Sequence, residues 1–166
     1  MLAGYLHFTG MAKKQSAGIL LYRLKEKKME VFLVHPGGPF WKKKDTASWT
    51  IPKGEFLDDE DSLAAAIREF REETGFTPDG PFVPLSPVRQ KSGKQVWAWA
   101  AAGDLVPALM RSNTVSLEWP PRSGRKIKFP EVDRGEWFTL DVAEKKINPA
   151  QVGFLQELTV LINAGI

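Results

Sequence analysis

The chain has 166 residues, no cysteine and a formal net charge of +3. That length favours one domain with a sizeable core, and 43% hydrophobic with 26% charged residues is the balance of a globular protein. Without cysteine, disulfides, thiolate metal sites and cysteine nucleophiles are excluded.

No apolar run is long enough to cross a bilayer. Residues 1–14 lack the ordered basic, apolar and cleavage regions of a secretory signal, so a cytoplasmic location is expected. Residues 1–15 read as an N-terminal arm, either disordered, a short ordered arm, or in its first ten residues an extension upstream of a second plausible start at Met11. Residues 16–166 read as the domain. The positive charge falls in two short clusters, Lys42-Lys43-Lys44 and residues 122–128. It does not cover one long face, so nucleic acid is not the expected partner.

Residues 17–24 (AGILLYRL) and 31–35 (VFLVH) are apolar and β-prone. A charged turn over 25–30 separates them, which predicts a hairpin or two neighbouring strands. Pro36-Gly37-Gly38-Pro39 breaks regular structure. A loop follows, then a short strand at Trp49-Thr50-Ile51, stopped by Pro52.

Asp58-Asp59-Glu60-Asp61 supplies acidic N-cap and first-turn residues for a helix through Thr74. Gly75 suits the position that ends it. Leu63, Ile67, Phe70 and Thr74 recur at helical spacing and predict the buried stripe. Strands are expected over 83–89 and 95–102, around a Lys91-Ser92-Gly93-Lys94 turn. Val96-Trp97-Ala98-Trp99 shows no clean alternation of polarity and predicts a strand covered on both faces. Pro107, Pro120 and Pro121 argue against a long regular element over 104–123. A last strand surrounds Glu136-Trp137-Phe138. A C-terminal helix from Pro149 to about Asn163 buries Val152, Leu155, Leu158 and Ile162. The order of elements points to the α/β (α+β) class, with a mixed sheet between helices.

The chemistry is concentrated in residues 54–76, GEFLDDEDSLAAAIREFREETGF. On a helix each residue turns about 100°, so Glu69, Glu72 and Glu73 share one face. Three like charges so close destabilise a bare helix, and a divalent cation removes that penalty. Carboxylate oxygens suit hard magnesium or manganese. The same glutamates could instead form a solvated acidic face, with Arg68 and Arg71 as ion-pair partners.

The segment matches the Nudix signature G-x5-E-x7-R-E-U-x-E-E-x-G-U, with U a bulky apolar residue. Gly54, Glu60, Arg68, Glu69, Phe70, Glu72, Glu73, Gly75 and Phe76 occupy its defined places. At ordinary residue frequencies the seven fixed polar and glycine positions coincide by chance in about one chain in a million. On these residues the chain resembles the Nudix (MutT-like) hydrolases. The preceding Trp49-Thr50-Ile51-Pro52-Lys53-Gly54 is similar to the W-x-x-P-K-G strand of diadenosine-polyphosphate and diphosphoinositol-phosphate members. The stretch from Glu131 through Trp137 to Leu140 is similar to the MutT-type segment that supplies a glutamate from outside the signature.

The resemblance implies a Nudix-type α/β/α sandwich and magnesium-dependent cleavage of a phosphoanhydride, with manganese as a substitute. It implies metal ligation by Glu69, Glu72, Glu73, Glu131 and the Lys53 carbonyl, with Glu136 as the competitor to Glu131. Glu69 or Glu131 would be the general base, and Glu72 joins them among the catalytic residues. Gly54, Glu60, Arg68 and Gly75 would be structural. Lys53, Trp41, Lys94 and Arg125 are the expected contacts to substrate. That substrate is a small nucleotide, most simply a dinucleoside polyphosphate or nucleoside triphosphate. ADP-ribose-like sugars, 8-oxo-dGTP, capped RNA ends and a non-catalytic nucleotide-binding module are the alternatives. A monomer or homodimer is expected. His35, beside the Pro-Gly-Gly turn, is either a phosphate contact or a hydrogen-bonded structural residue.

Overall fold

The computed structural model describes residues 14–166. The expected N-terminal arm falls almost wholly outside them, and Gln15 already belongs to the first strand.

Strands β1 (Gln15–Lys25) and β2 (Lys28–Pro36) form an antiparallel hairpin, with Lys25 opposite Lys28. The loop is only Glu26 and Lys27, at φ 49° and 66°. Two successive positive φ values match the twist of a two-residue hairpin turn. The expected turn over 25–30 was therefore too long. Glycine or asparagine normally marks such a turn, and neither is present here.

β3 (Lys53–Phe56) pairs with the first half of β1, and β2 pairs with the second half. β4 (Val83–Arg89) and β5 (Gln95–Ala102) form the next hairpin, and β5 runs parallel to β1. A 3-10 turn over Pro107–Leu109 leads to β6 (Thr114–Glu118) and β7 (Lys126–Pro130). These two form a separate two-stranded sheet; β6 is a short strand of 5 residues within the stretch where a long regular element was not expected, and β7 lies beyond that stretch. The prolines lie outside the strands, so they limit β6 and β7 without preventing them. β8 (Val132–Thr139) closes the far edge of the main sheet, whose order is β4-β5-β1-β2-β8.

Helix α1 (Ser62–Thr74) covers one face of the sheet, and α2 (Leu140–Lys146) and α3 (Val152–Asn163) cover the other. This is the expected α/β/α sandwich. Ala17, Ile19, Leu21, Phe32 and Val34 meet Ala65, Ala66 and Phe70 on the α1 side. Leu20, Val31, Leu33, Trp49 and Ile51 meet Ala143, Phe154, Leu155 and Leu158 on the other. In β5, Val96, Ala98 and Ala100 are buried beneath α3, while Trp97 and Trp99 are half-buried on the α1 face. The alternation absent from residue polarity is thus present in burial.

Two expectations near the site need correction. Trp49-Thr50-Ile51 is not a regular strand. Thr50 bridges to Val34 and Trp49 to Ile147, while Gln151 Oε1 accepts from the Ile51 N–H at 3.1 Å. Pro52 has no N–H, so regular pairing begins at Lys53. The buried stripe of α1 is also displaced. Ala65, Ala66, Glu69, Phe70, Glu73 and Thr74 are buried, whereas Leu63 and Ile67 are only half-buried. Two alanines let the helix lie close to β1 and β3, and that approach turns two glutamates inward.

Candidate active site

Helix α1 begins one residue after the acidic run proper. Asp61 is its N-cap, with the side chain accepting from the Ala64 N–H at 2.9 Å. Asp58, Asp59 and Glu60 lie in the turn before it, so the expected acidic first turn is absent. Gly75 ends the helix at φ 80°, and its N–H donates to the Arg71 carbonyl at 2.8 Å. A side chain is disfavoured at such a φ. These caps set the length and azimuth of the turn carrying Glu69, Glu72 and Glu73.

Gly54 sits against that turn. A Cβ there would lie 2.0 Å from the Glu69 carboxyl carbon. The signature glycine is therefore required by close approach of β3 to α1. On its other side, Gln151 anchors Thr50 and Ile51 through both ends of its amide, which places Lys53 and Gly54. Gln151 has no signature in the sequence, because one buried glutamine two residues after Pro149 carries no local signal.

Ser16, Lys53, Gly54, Glu55, Glu69, Glu72, Lys94 and Glu131 line one open cleft. Glu73 lies buried beside it, accepting from the Lys53 N–H at 3.1 Å. The structure thus puts Glu69 and Glu72 in one wall with Glu131, which lies at the junction of β7 and β8, and Glu73 behind that wall. Glu131 is held through its backbone: its carbonyl accepts from Gly37 at 2.8 Å and its N–H donates to Asn113 at 2.9 Å. Glu136, the competing choice, is exposed on β8 opposite Leu33 and does not line the cleft.

Arg68 organises the carboxylates. It donates to both oxygens of Glu60, at 2.9 and 3.1 Å, and to Glu69 at 2.8 Å and Glu72 at 3.3 Å. Its guanidinium is raised above its ordinary value, first by the bonds to Glu60. Burial raises the Glu69 carboxyl; Arg68 opposes this, while the charges of Glu72 and Glu131 add to it. Burial raises Glu73 well above the usual carboxylate range, reinforced by Glu131 and opposed by Lys53. Burial lowers the Lys53 ammonium, and Glu73 opposes that drop.

This cleft concentrates more negative charge than its own cations comfortably neutralise. All the acidic donors are oxygen, which suits a hard divalent ion. Among the described residues no three acidic or histidine groups converge at ligating distances. Glu69 and Glu72 face Arg68, and Glu73 faces the Lys53 amide. The donor chemistry fits a divalent ion.

Of the expected substrate contacts, Lys53 and Lys94 line the cleft, and Lys94 pairs with Glu55 at 2.6 Å. Trp41 and Arg125 do not line it. Trp41 stands edge-on to Phe40, with the Lys44 ammonium 3.5 Å from the Phe40 ring centre. Arg125 is exposed just before β7, where its carbonyl accepts from the Trp119 N–H at 2.8 Å. His35 is fully buried, between Asp133 Oδ1 at 2.9 Å and the Lys44 carbonyl at 2.6 Å. It ties the lysine loop to β8 and is structural. Trp137 donates to the Leu105 carbonyl and lies under Arg23, so its ring is likewise engaged in the fold.

A NUDIX domain model matches residues 12–158. A search of curated proteins found no match. Among solved structures, a binary complex of Caenorhabditis elegans Ap4A hydrolase aligns with a TM-score of 0.62 and 24% identity, covering 91% of this chain and 99% of that one. The NUDIX domain of Shewanella oneidensis NrtR complexed with ADP ribose gives 0.62 and 18%, covering 91% and 89%. A mutT/nudix family protein from Listeria innocua gives 0.59 and 17%, covering 91% and 94%. At these identities the three neighbours support the fold, while the family match spans most of the chain. Together with the full signature placed on α1, that match establishes that the chain belongs to the NUDIX family and is a Nudix hydrolase.

Proposed function

We propose that the protein is a magnesium-dependent pyrophosphohydrolase that cleaves a phosphoanhydride in a nucleoside-diphosphate-linked substrate. The observation that carries this reading is the complete glutamate set around one cleft: Glu69, Glu72 and Glu131 in its wall and Glu73 beside it. Those four glutamates, with the Lys53 carbonyl, would hold the divalent ions, and manganese would substitute for magnesium. When bound, the ions neutralise phosphate oxygens and acidify water.

The chain's own residues do the rest. Lys53 and Lys94 meet non-bridging phosphate oxygens. Arg68 orients Glu69 and Glu72, and Glu60 in turn holds Arg68. Glu131 takes the proton from the attacking water: its backbone is pinned in the wall while Glu69 is engaged by Arg68. Glu69 is the alternative base, and a pH–rate profile of Glu131→Gln against Glu69→Gln separates them.

Dinucleoside polyphosphates and nucleoside triphosphates are the first substrates to test, in line with the W-x-x-P-K-G approach to Gly54 and the Ap4A hydrolase neighbour. ADP-ribose is the second, in line with the ADP-ribose complex of the NrtR domain. Trp41 and Arg125 lie outside the cleft wall and are given no part in this reading.

The test is a nucleotide panel with magnesium, with products identified by mass spectrometry in heavy-oxygen water. Label in a phosphate product, lost on chelation, is expected. Glu72→Gln and Glu73→Gln should each lower turnover by about 100-fold or more while leaving the melting temperature within a few degrees. Near-normal turnover in both variants would refute the assignment.

A further inference from the structure

Ser16 in β1 has a feature that the catalytic groups do not explain. Its side chain is fully buried, and its Oγ has no hydrogen-bond partner. It is the one such side-chain atom among the described residues. Other buried polar groups are satisfied: His35, Ser48, Thr74 and Gln151 each bond to carbonyls, carboxylates or amides. A buried hydroxyl without a partner loses its hydration and regains nothing, so such groups are rare in folded proteins and call for an explanation.

The position of Ser16 supplies one. It belongs to the wall of the carboxylate cleft. Across the β1–β3 pair it stands opposite Glu55, and two residues on, Gly18 stands opposite Lys53. Alternation along a strand puts Ser16, Glu55 and Lys53 on one face, with directly opposite side chains about 5 Å apart at Cβ. Glu55 is already paired with the Lys94 ammonium, whose hydrogen bond holds the carboxyl below the usual carboxylate range. Ser16 therefore shares its stretch of the cleft wall with Lys53, Lys94 and an acid that is already paired. An anionic oxygen acceptor entering the cleft fits this setting.

We propose that Ser16 is a substrate-binding residue, whose hydroxyl donates a hydrogen bond to a non-bridging oxygen of the substrate's phosphate chain beside Lys53 and Lys94. The inference rests on the pyrophosphohydrolase reading and deepens it. It assigns β1, a strand outside the signature, a part in holding the phosphates. The ligand class is a di- or polyphosphate.

Two measurements on Ser16→Ala with opposite expected signs test the proposal. Without ligand, the melting temperature should be unchanged or higher, because the substitution removes an unpartnered polar atom from the interior. Affinity for methylenebisphosphonate, a non-hydrolysable diphosphate mimic, should fall about tenfold in calorimetric titration with magnesium. On the substrate found by the panel, KM should rise more than kcat falls. A lower melting temperature with unchanged bisphosphonate affinity would show that the hydroxyl is structural and overturn the proposal. So would a wild-type protein that does not bind the bisphosphonate. Full turnover in Glu72→Gln would refute the hydrolytic site but leave the Ser16 titration interpretable, so the two failures are distinguishable.

Discussion

Glycine 54 illustrates how much of the site depends on single atoms. The space its missing Cβ leaves is filled by the Glu69 carboxylate, which Arg68 also grips. Gly54→Ala must displace that carboxylate, the mobile end of a side chain, so the fold can absorb the change while the site cannot. Turnover should drop about 100-fold, the scale expected for a misplacement of roughly 1 Å. Melting should shift little, and steady-state kinetics alongside calorimetry would check both. A large loss of stability with proportionate loss of activity would mean that Gly54 serves backbone packing alone. At this scale the sequence was highly legible. Arg68, Glu69, Glu72 and Glu73 take the local positions their spacing required, because helical geometry operates within a few residues, whereas the meeting of Gly54 with Glu69 comes from β3 packing on α1. Ser16 and Gln151 were not legible, because their significance depends on strands and helices far away in the chain.

Elements convert those positions into a site. Helix α1 is aimed by its caps, and Asp61→Ala should cost about 1 kcal/mol of stability in chemical denaturation. An unchanged unfolding midpoint would argue that the Asp61 side chain adds nothing beyond the backbone. The segment before β3 is aimed from the opposite side. Asp45 pairs with Lys146 of α2 and accepts from the Trp49 indole at 2.8 Å, which fixes the approach to Lys53. The Lys146 hydrogen bond, then that of Trp49, lowers the Asp45 carboxyl from its ordinary 3.8. A depressed carboxylate contributes stability above its unfolded value and loses it as pH falls through the folded one. Asp45→Asn should therefore lower the melting temperature slightly at neutral pH, with the gap closing below pH 3.8. Thermal melts across that range would show it, and a gap independent of pH would exclude the ionic contribution. Element existence was readable wherever apolar periodicity was strong. It failed at β6 and β7, a largely exposed hairpin of mixed polarity with prolines around it, at the short elements β3 and α2, where none was expected, and at Trp49-Thr50-Ile51, whose backbone partners come from three separate places.

The whole molecule places an acidic helix face against a sheet edge at the cost of buried like charge. Burial raises Glu69 and Glu73, so the cleft stores unfavourable electrostatics that a bound divalent ion relieves. Magnesium at about 100 times its dissociation constant should stabilise the protein by about 2.7 kcal/mol. The shift should appear in thermal melts, vanish with chelator and shrink in Glu72→Gln. Equal shifts in wild type and Glu72→Gln would place the ion elsewhere. Among the described residues no helix is long and apolar enough to cross a membrane. What the sequence determined by itself was helix α1, its capping residues Asp61 and Gly75, the spacing of its glutamates and the sandwich class, since these follow from periodicity and local sterics. Only tertiary structure decided that Glu131 and not Glu136 reaches the cleft, that Lys94 lines it while Trp41 and Arg125 do not, and that Ser16 is left without a partner. Those outcomes depend on strand register and on which distant segments share a wall, and no local pattern of residues encodes either.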